Sequence, residues 1–109
     1  MTVWFHPGFP QDVRRFETEY DVLASGLALR FRHELDVAVE SVKRSPTSAG
    51  HFLNFPSPGA CQIRRRNLRS FPFFVLYGLT EDRLIFGSVI PSRSDPLTWL
   101  VRFQSQPQR

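Results

Sequence analysis

Apolar residues recur at helical spacing through the first half of the chain and in unbroken runs through the second. Val13, Phe16, Tyr20, Leu23 and Ala24 fall at steps near three and four with charge between them. This predicts a helix of about 15 residues with one buried face. Pro10 suits its first turn, and Gly26 can supply the left-handed residue that ends it. A cleaner stripe follows. Leu27, Phe31, Leu35, Ala38, Val39 and Val42 alternate with Arg30, Arg32, Glu34, Asp36, Glu40 and Lys43. That is an amphipathic helix, stopped by Ser45-Pro46. Two helices joined at one glycine make a helical hairpin.

The rest of the pattern is β. Thr2-Val3-Trp4-Phe5 is short, β-prone and closed by His6-Pro7-Gly8, so it predicts a first strand. Residues 45–60 are rich in Pro, Ser and Gly and predict a loop. Within it, Phe52-Leu53-Asn54-Phe55 suits a short edge strand, and Pro56-Ser57-Pro58-Gly59 a turn. Residues 61–68, 71–79 and 84–90 predict three strands. The last two are joined by Thr80-Glu81-Asp82-Arg83, and both are apolar on consecutive positions, as central strands are. A loop, a short helical turn holding Trp99, and a frayed polar tail from Gln104 complete the chain. The expected fold is α+β. An N-terminal strand and a helical hairpin pack on one face of a small antiparallel sheet, and the opposite face is left for a ligand or partner.

Length and composition narrow this. The 109 residues suffice for one domain, and 41% apolar content with eleven Phe supplies a core. Phe71, Phe73, Phe74 and Phe86 are expected there. A single cysteine, Cys61, excludes an internal disulfide and a cysteine metal cluster, and it suits a cytosolic compartment. No apolar run is long enough to span a bilayer, and the N-terminus lacks the pattern of a signal peptide. His6, His33 and His51 have no metal-ligand spacing and read as surface or loop residues. No glycine-rich phosphate loop is present, and neither metal nor cofactor is called for.

Charge supplies the candidate chemistry. The net charge is +4, and thirteen of the fourteen basic residues are arginine, Lys43 being the exception. Mixed charge covers the helices, whereas Arg64, Arg65, Arg66 and Arg69 stud the strand region. On a strand, Arg64 and Arg66 point one way and Arg65 the other. Guanidinium forks held on a stiff sheet suit an anion, either phosphate or an acidic protein segment. Arg93, in the loop after the last strand, can extend the patch. Trp4 and Trp99 could stack on a base, although a Trp pinning the C-terminal segment to the core is the plainer reading. Tyr77 lies in a central strand, where core packing is expected.

The order and several motifs resemble the RelE/ParE superfamily, the toxins of type II toxin–antitoxin pairs, and its ParE-like branch most closely. The motifs are Gly26-Leu27 before a helix containing Arg30-Phe31, and that helix ending at Pro46. The third is Arg64-Arg65…Leu68-Arg69-Ser70-Phe71-Pro72-Phe73 followed by Tyr77. The last is Arg93-Ser94-Asp95-Pro96…Trp99…Arg102. The resemblance spans residues 2–102. It implies a toxin concerned with growth inhibition and plasmid stabilisation. Such a toxin is neutralised by a cognate antitoxin bringing carboxylates and apolar anchors on its C-terminal segment. Arg64, Arg65, Arg66, Arg69, Arg93 and Trp99 are the residues expected to meet antitoxin or target. The ParE branch implies poisoning of DNA gyrase by binding. The RelE branch implies a ribosome-dependent mRNA endonuclease, for which Arg64, Arg93 and Tyr77 are the candidate catalytic groups. A member that only binds its antitoxin is the third possibility. Pro91 and Ser92 stand where relatives often carry a histidine or basic residue, and nothing titratable near neutral pH follows Arg93. Both features favour binding over hydrolysis.

Overall fold

A computed structural model describes residues 1–53 and 62–103. Its elements are β1 (Thr2–Phe5), α1 (Gly8–Leu23), α2 (Leu27–Arg44), β2 (His51–Phe52), β3 (Gln62–Asn67), β4 (Phe73–Leu79), β5 (Arg83–Pro91) and a C-terminal 3₁₀ segment (Pro96–Phe103). Cys61, the 56–59 turn, Asn54-Phe55 and the tail from Gln104 lie outside the described residues.

The helical hairpin forms as its periodicity requires. Gly26 takes a φ of 82°, a left-handed conformation that a side chain would strain, and α2 starts directly after it. Phe31, Leu35, Ala38, Val39 and Val42 are all buried along α2. The buried face of α1 is Phe9, Val13 and Phe16, with Tyr20 half-buried. Leu23 and Ala24 do not continue it. Leu23 is 72% exposed at the last residue of α1. Pro10 sits in the first turn of α1 as expected.

Among the described residues, five strands form one sheet in the order β1-β5-β4-β3-β2. From β2 to β5 the ladder is antiparallel, but β1 runs parallel to β5, pairing Thr2 with Arg83 and Phe5 with Phe86. The sheet is therefore mixed, not purely antiparallel. The chain leaves β1 through the helical hairpin and returns to the far side of the sheet, so β1 ends up beside the last strand. The edge strand expected at 52–55 forms instead as the two-residue β2.

Apolar residues on β4 and β5 fill both sides of the sheet, and two layers cover them. Phe71, Phe73, Val75, Tyr77, Leu84, Phe86 and Val89 pack under the helices. Ile63, Phe74, Leu76, Ile85 and Ile90 pack on the other side around Phe103, with Trp4, Leu53, Trp99 and Leu100 at the margin. That second face is not left open. The 3₁₀ segment lies across it, driven by burial of Phe103, which is fully enclosed. An extra residue in β5 between the Leu76–Ser88 and Tyr77–Phe86 pairs makes a β-bulge at Gly87. The Phe103 ring rests on Gly87 where any Cβ would collide with it.

Candidate functional site

The register of β3 decides what each arginine can reach. Arg64, Arg65 and Arg66 lie opposite Tyr77, Leu76 and Val75, so Arg64 and Arg66 share the helix face and Arg65 takes the other, as strand alternation requires. Arg64 donates through Nη2 to the carbonyls of Thr47 (2.7 Å) and Gly50 (2.8 Å), and through Nη1 to Gln62 Oε1 (3.0 Å). It fastens the chain after α2 to β3. Arg66 donates to Ser41 Oγ on α2 (3.2 Å) and to the Asn67 carbonyl (2.6 Å). Arg65 is braced by two bonds to Asn67 Oδ1 (3.0 and 2.8 Å), and its guanidinium lies 3.8 Å above the Phe74 ring. These partners are all neutral. Among the described residues, no carboxylate pairs with Arg64, Arg65 or Arg66. Their positions are fixed while their charge stays uncompensated.

Arg69 is exposed in the turn between β3 and β4, and Arg93 in the turn after β5. Both turns lie at one end of the sheet, because Leu68 N–H donates to Phe73 O and Ser92 N–H to Pro72 O, each at 2.9 Å. The sequence-predicted arginines therefore divide three ways. Arg64 is a structural clamp, Arg65 lies on the far face, and Arg66 and Arg69 line one cleft, with Arg93 in a turn at the same end of the sheet. Trp99 is half-buried and supports the second core rather than standing clear to stack on a ligand.

Tyr77 is fully buried, and its hydroxyl donates to the Pro46 carbonyl at 2.6 Å. Burial raises its pKa above the ordinary 10.0, against a smaller opposing effect of Arg64. Its hydroxyl is thus tied to the backbone, and it lines neither of the two clefts described next.

A cleft of about 520 Å³ opens beside this strand, between α2 and the β3–β4 turn. Its floor is Ala38, Leu68 and Phe71. Leu29 and Val37 of α2, 77% and 50% exposed, form an apolar wall. Arg30, His33, Arg66 and Arg69 make the rim, with Glu34 the single acid. Glu34 Oε2 accepts the Ser70 N–H at 2.7 Å, tying α2 to the turn that carries Arg69. A second cleft of about 600 Å³ lies over Phe5, Phe9, Val13, Leu35 and Val39. Its charges are largely paired: Arg32 meets Glu17 (3.7 Å) and Asp36 (3.1 Å), and Lys43 meets Glu40 (3.2 Å), which leaves Arg14 as its lining cation without an ion pair among the described residues. Of these two clefts the first sets more unpaired arginine beside its apolar surface, Arg30, Arg66 and Arg69 against Arg14 alone, the pairing that suits an acidic amphipathic segment. Leu29, His33 and Val37 recur four apart on α2, off its core stripe, and that spacing was the sequence signal for a second apolar face.

One polar cluster left no local trace in the sequence. Arg102 Nη1 contacts Asp12 Oδ2 (2.9 Å), the Gly87 carbonyl (2.9 Å) and Ser88 Oγ (3.1 Å), and Asp12 Oδ2 also accepts the Val89 N–H (3.0 Å). His6 Nδ1 beside it accepts the Gly8 N–H at 2.9 Å. Burial, then the Arg102 charge, hold His6 below its ordinary value of 6.5, opposed by Asp12. These groups are tied to one another and to the backbone, an arrangement that staples rather than reacts. Among the described residues, no three His, Cys, Asp or Glu side chains gather as a metal site, and no helix is long and apolar enough to cross a membrane.

No family model matches this sequence, and no curated protein matches it either. Among solved structures, a chain of the chromosomal ParDE toxin–antitoxin system from P. aeruginosa superposes with a TM-score of 0.70 at 16% identity, covering 84% of this chain and 95% of that one. The α+β fold is thus shared with a chain of a ParDE system, as the RelE/ParE resemblance implies.

Proposed function

We propose that this chain is the toxin of a type II toxin–antitoxin pair and acts by binding, with DNA gyrase as its target in the cytoplasm. The observation that carries the reading is the first cleft, apolar between Leu29, Val37, Leu68 and Phe71 and basic at Arg30, Arg66 and Arg69. The cognate antitoxin would lay an amphipathic segment there, apolar anchors inward and carboxylates toward the arginines. The shared fold with a chain of the ParDE system supports this choice of partner. A non-catalytic mode is supported by Tyr77, whose hydroxyl is committed to Pro46, and by Arg64, whose Nη2 is committed to two backbone carbonyls.

Expression of the chain alone in bacteria should arrest growth, and coexpression of the protein encoded beside it should relieve the arrest. Purified protein should inhibit gyrase supercoiling at micromolar concentration. Specific mRNA cuts in a translation extract, lost on combining Arg64→Ala with Arg93→Ala, would replace gyrase by the ribosome as target. Unhindered growth with soluble, folded protein would reduce the chain to an antitoxin binder.

A further inference from the structure

β1 is the outermost strand, and one of its edges carries no strand among the described residues. Thr2 N–H donates to Asp82 O and His6 N–H to Phe86 O, each at 2.9 Å. In a parallel ladder the same parity makes every bond, so Thr2, Trp4 and His6 serve β5. The N–H and C=O groups of Val3 and Phe5 therefore point outward. Beside them lie exposed apolar side chains: Met1 is 68% exposed, Val3 40% and Phe5 37%. Edge strands are ordinarily defended by charge, proline, a bulge or extreme shortness. Thr2-Val3-Trp4-Phe5 has no charge and no proline, and its register with β5 is regular. The opposite edge is defended, because β2 is only two residues long.

We infer that β1 pairs antiparallel with β1 of a second copy of this chain, about a two-fold axis at Trp4. The strand is complementary to itself in that register. Val3 of one copy faces Phe5 of the other, and both carry outward backbone groups, so the two symmetric pairs close as hydrogen-bonded pairs. Each is also a β-branched–aromatic contact on the helix face. Trp4 faces Trp4 on the other side as a non-hydrogen-bonded pair, where Cβ atoms approach to about 4.5–5.5 Å. Thr2 faces His6. No like charges meet: Lys43, whose Nζ lies 5.8 Å from the Phe5 ring centre, is balanced by Glu40 at 3.2 Å. An acidic or basic segment of another protein gains nothing from this uncharged edge, whereas a two-fold contact needs only that the same patch suit itself. The inference is independent of the toxin reading, since its readout is mass rather than growth.

Sedimentation equilibrium of the unmodified chain from about 1 to 100 µM should show the mass rising from monomer to dimer. Backbone amide exchange at Val3 and Phe5 should slow over the same range. Val3→Pro removes only an outward N–H, so the β5 ladder survives while the proline ring blocks the second copy. This variant should stay monomeric with an unchanged far-ultraviolet circular dichroism spectrum. A strictly monomeric unmodified chain, a dimeric Val3→Pro variant, or concentration-independent exchange at Val3 and Phe5 would each overturn the inference. So would protection of those two amides only when the antitoxin is added, which would give the edge to a foreign strand. Should Val3→Pro fail to fold, amide exchange on the unmodified chain decides the matter alone.

Discussion

Arg102 reaches back across 90 residues to place its Nη1 2.9 Å from Asp12 Oδ2, locking the last described turn of the chain to the first turns of α1. Both side chains are largely buried, at 20% and 15% exposure. The same carboxylate oxygen also accepts the Val89 N–H just past the β5 bulge. One acid thus joins a helix, a strand and the covering 3₁₀ segment. Removing one member of a buried pair leaves the other charge stranded, which costs more than the pair contributes net. Asp12→Ala should therefore lower the unfolding free energy in urea by about 3 kcal/mol. Arg102→Ala should cost less, because the Val89 bond survives. Asp12→Asn should fall between wild type and Asp12→Ala, since an amide oxygen still serves Val89. Equal losses in Asp12→Ala and Arg102→Ala would mean that the Val89 bond contributes nothing.

His6 makes the N-terminal region sensitive to acid. Its Nδ1 accepts the Gly8 N–H at the start of α1, and a protonated ring would lose that bond while facing Arg102. The folded chain therefore resists a proton that the unfolded chain takes up near 6.5. Between the lowered folded value and 6.5 the unfolded state binds more protons, so stability falls as pH drops through that window. Below it the loss levels off. Denaturation midpoints measured from pH 7.5 to about 5 should trace this fall, and His6→Asn, which keeps an acceptor but does not titrate there, should flatten it. A parallel fall in the variant would move the effect to other groups.

What the sequence disclosed and what it hid follow from the range of each interaction. The α2 stripe of Phe31, Leu35, Ala38, Val39 and Val42 is a local periodicity, and it appears as read. So do the β4 and β5 runs, the left-handed Gly26, and the opposed faces of Arg64 and Arg65. The parallel pairing of β1 with β5 left no local mark, because its partner is remote and either direction satisfies the same alternation. The second covering layer escaped for a related reason. Phe103 sits in a segment too short for periodicity, and Gly87, on which it rests, is an unremarkable glycine in a strand. At the arginine strand the sequence revealed charge and face but not occupation. Only the folded chain brings Arg64 and Tyr77 to the backbone beyond α2.

That commitment sets Arg64 and Tyr77, held inside the fold, apart from Arg69 in its exposed turn. Arg64→Ala strips donors from the Thr47 and Gly50 carbonyls and should destabilise the fold by about 1–3 kcal/mol. Tyr77→Phe, which orphans the Pro46 carbonyl, should cost about 1 kcal/mol and leave target inhibition unchanged. Arg69→Ala, in an exposed turn, should move the unfolding midpoint hardly at all. Chemical denaturation of the three variants, followed by growth-inhibition assays, checks the set. Loss of inhibition by folded Tyr77→Phe would return the hydroxyl to the reaction.

The bulge in β5 gives a packing test. A methyl group at position 87 would meet the Phe103 ring, which is fully enclosed and cannot swing into solvent. Gly87→Ala should cost about 1–3 kcal/mol through overpacking. Reducing Phe103 to Leu alongside it should recover part of the loss, because the two changes share one contact. Strict additivity of the two variants in urea denaturation would show that the contact is not the source.

The cleft beside α2 makes its own demand on binding kinetics. Charge on an exposed rim acts mainly on encounter, while apolar anchors act on residence. Arg69→Ala should therefore slow antitoxin association several-fold, flatten its dependence on salt, and leave dissociation nearly unchanged. Val37→Asp, in the apolar wall, should raise the dissociation rate by about tenfold or more, in keeping with the loss of a packed anchor. Arg32→Ala, at the second cleft where Glu17 and Asp36 already meet its charge, is the control and should change neither rate. Stopped-flow association and surface-based dissociation measurements at two salt concentrations separate the three variants. If Arg32→Ala behaves like Arg69→Ala, the partner lies over the helical hairpin, and the basic-rimmed cleft is not where it docks.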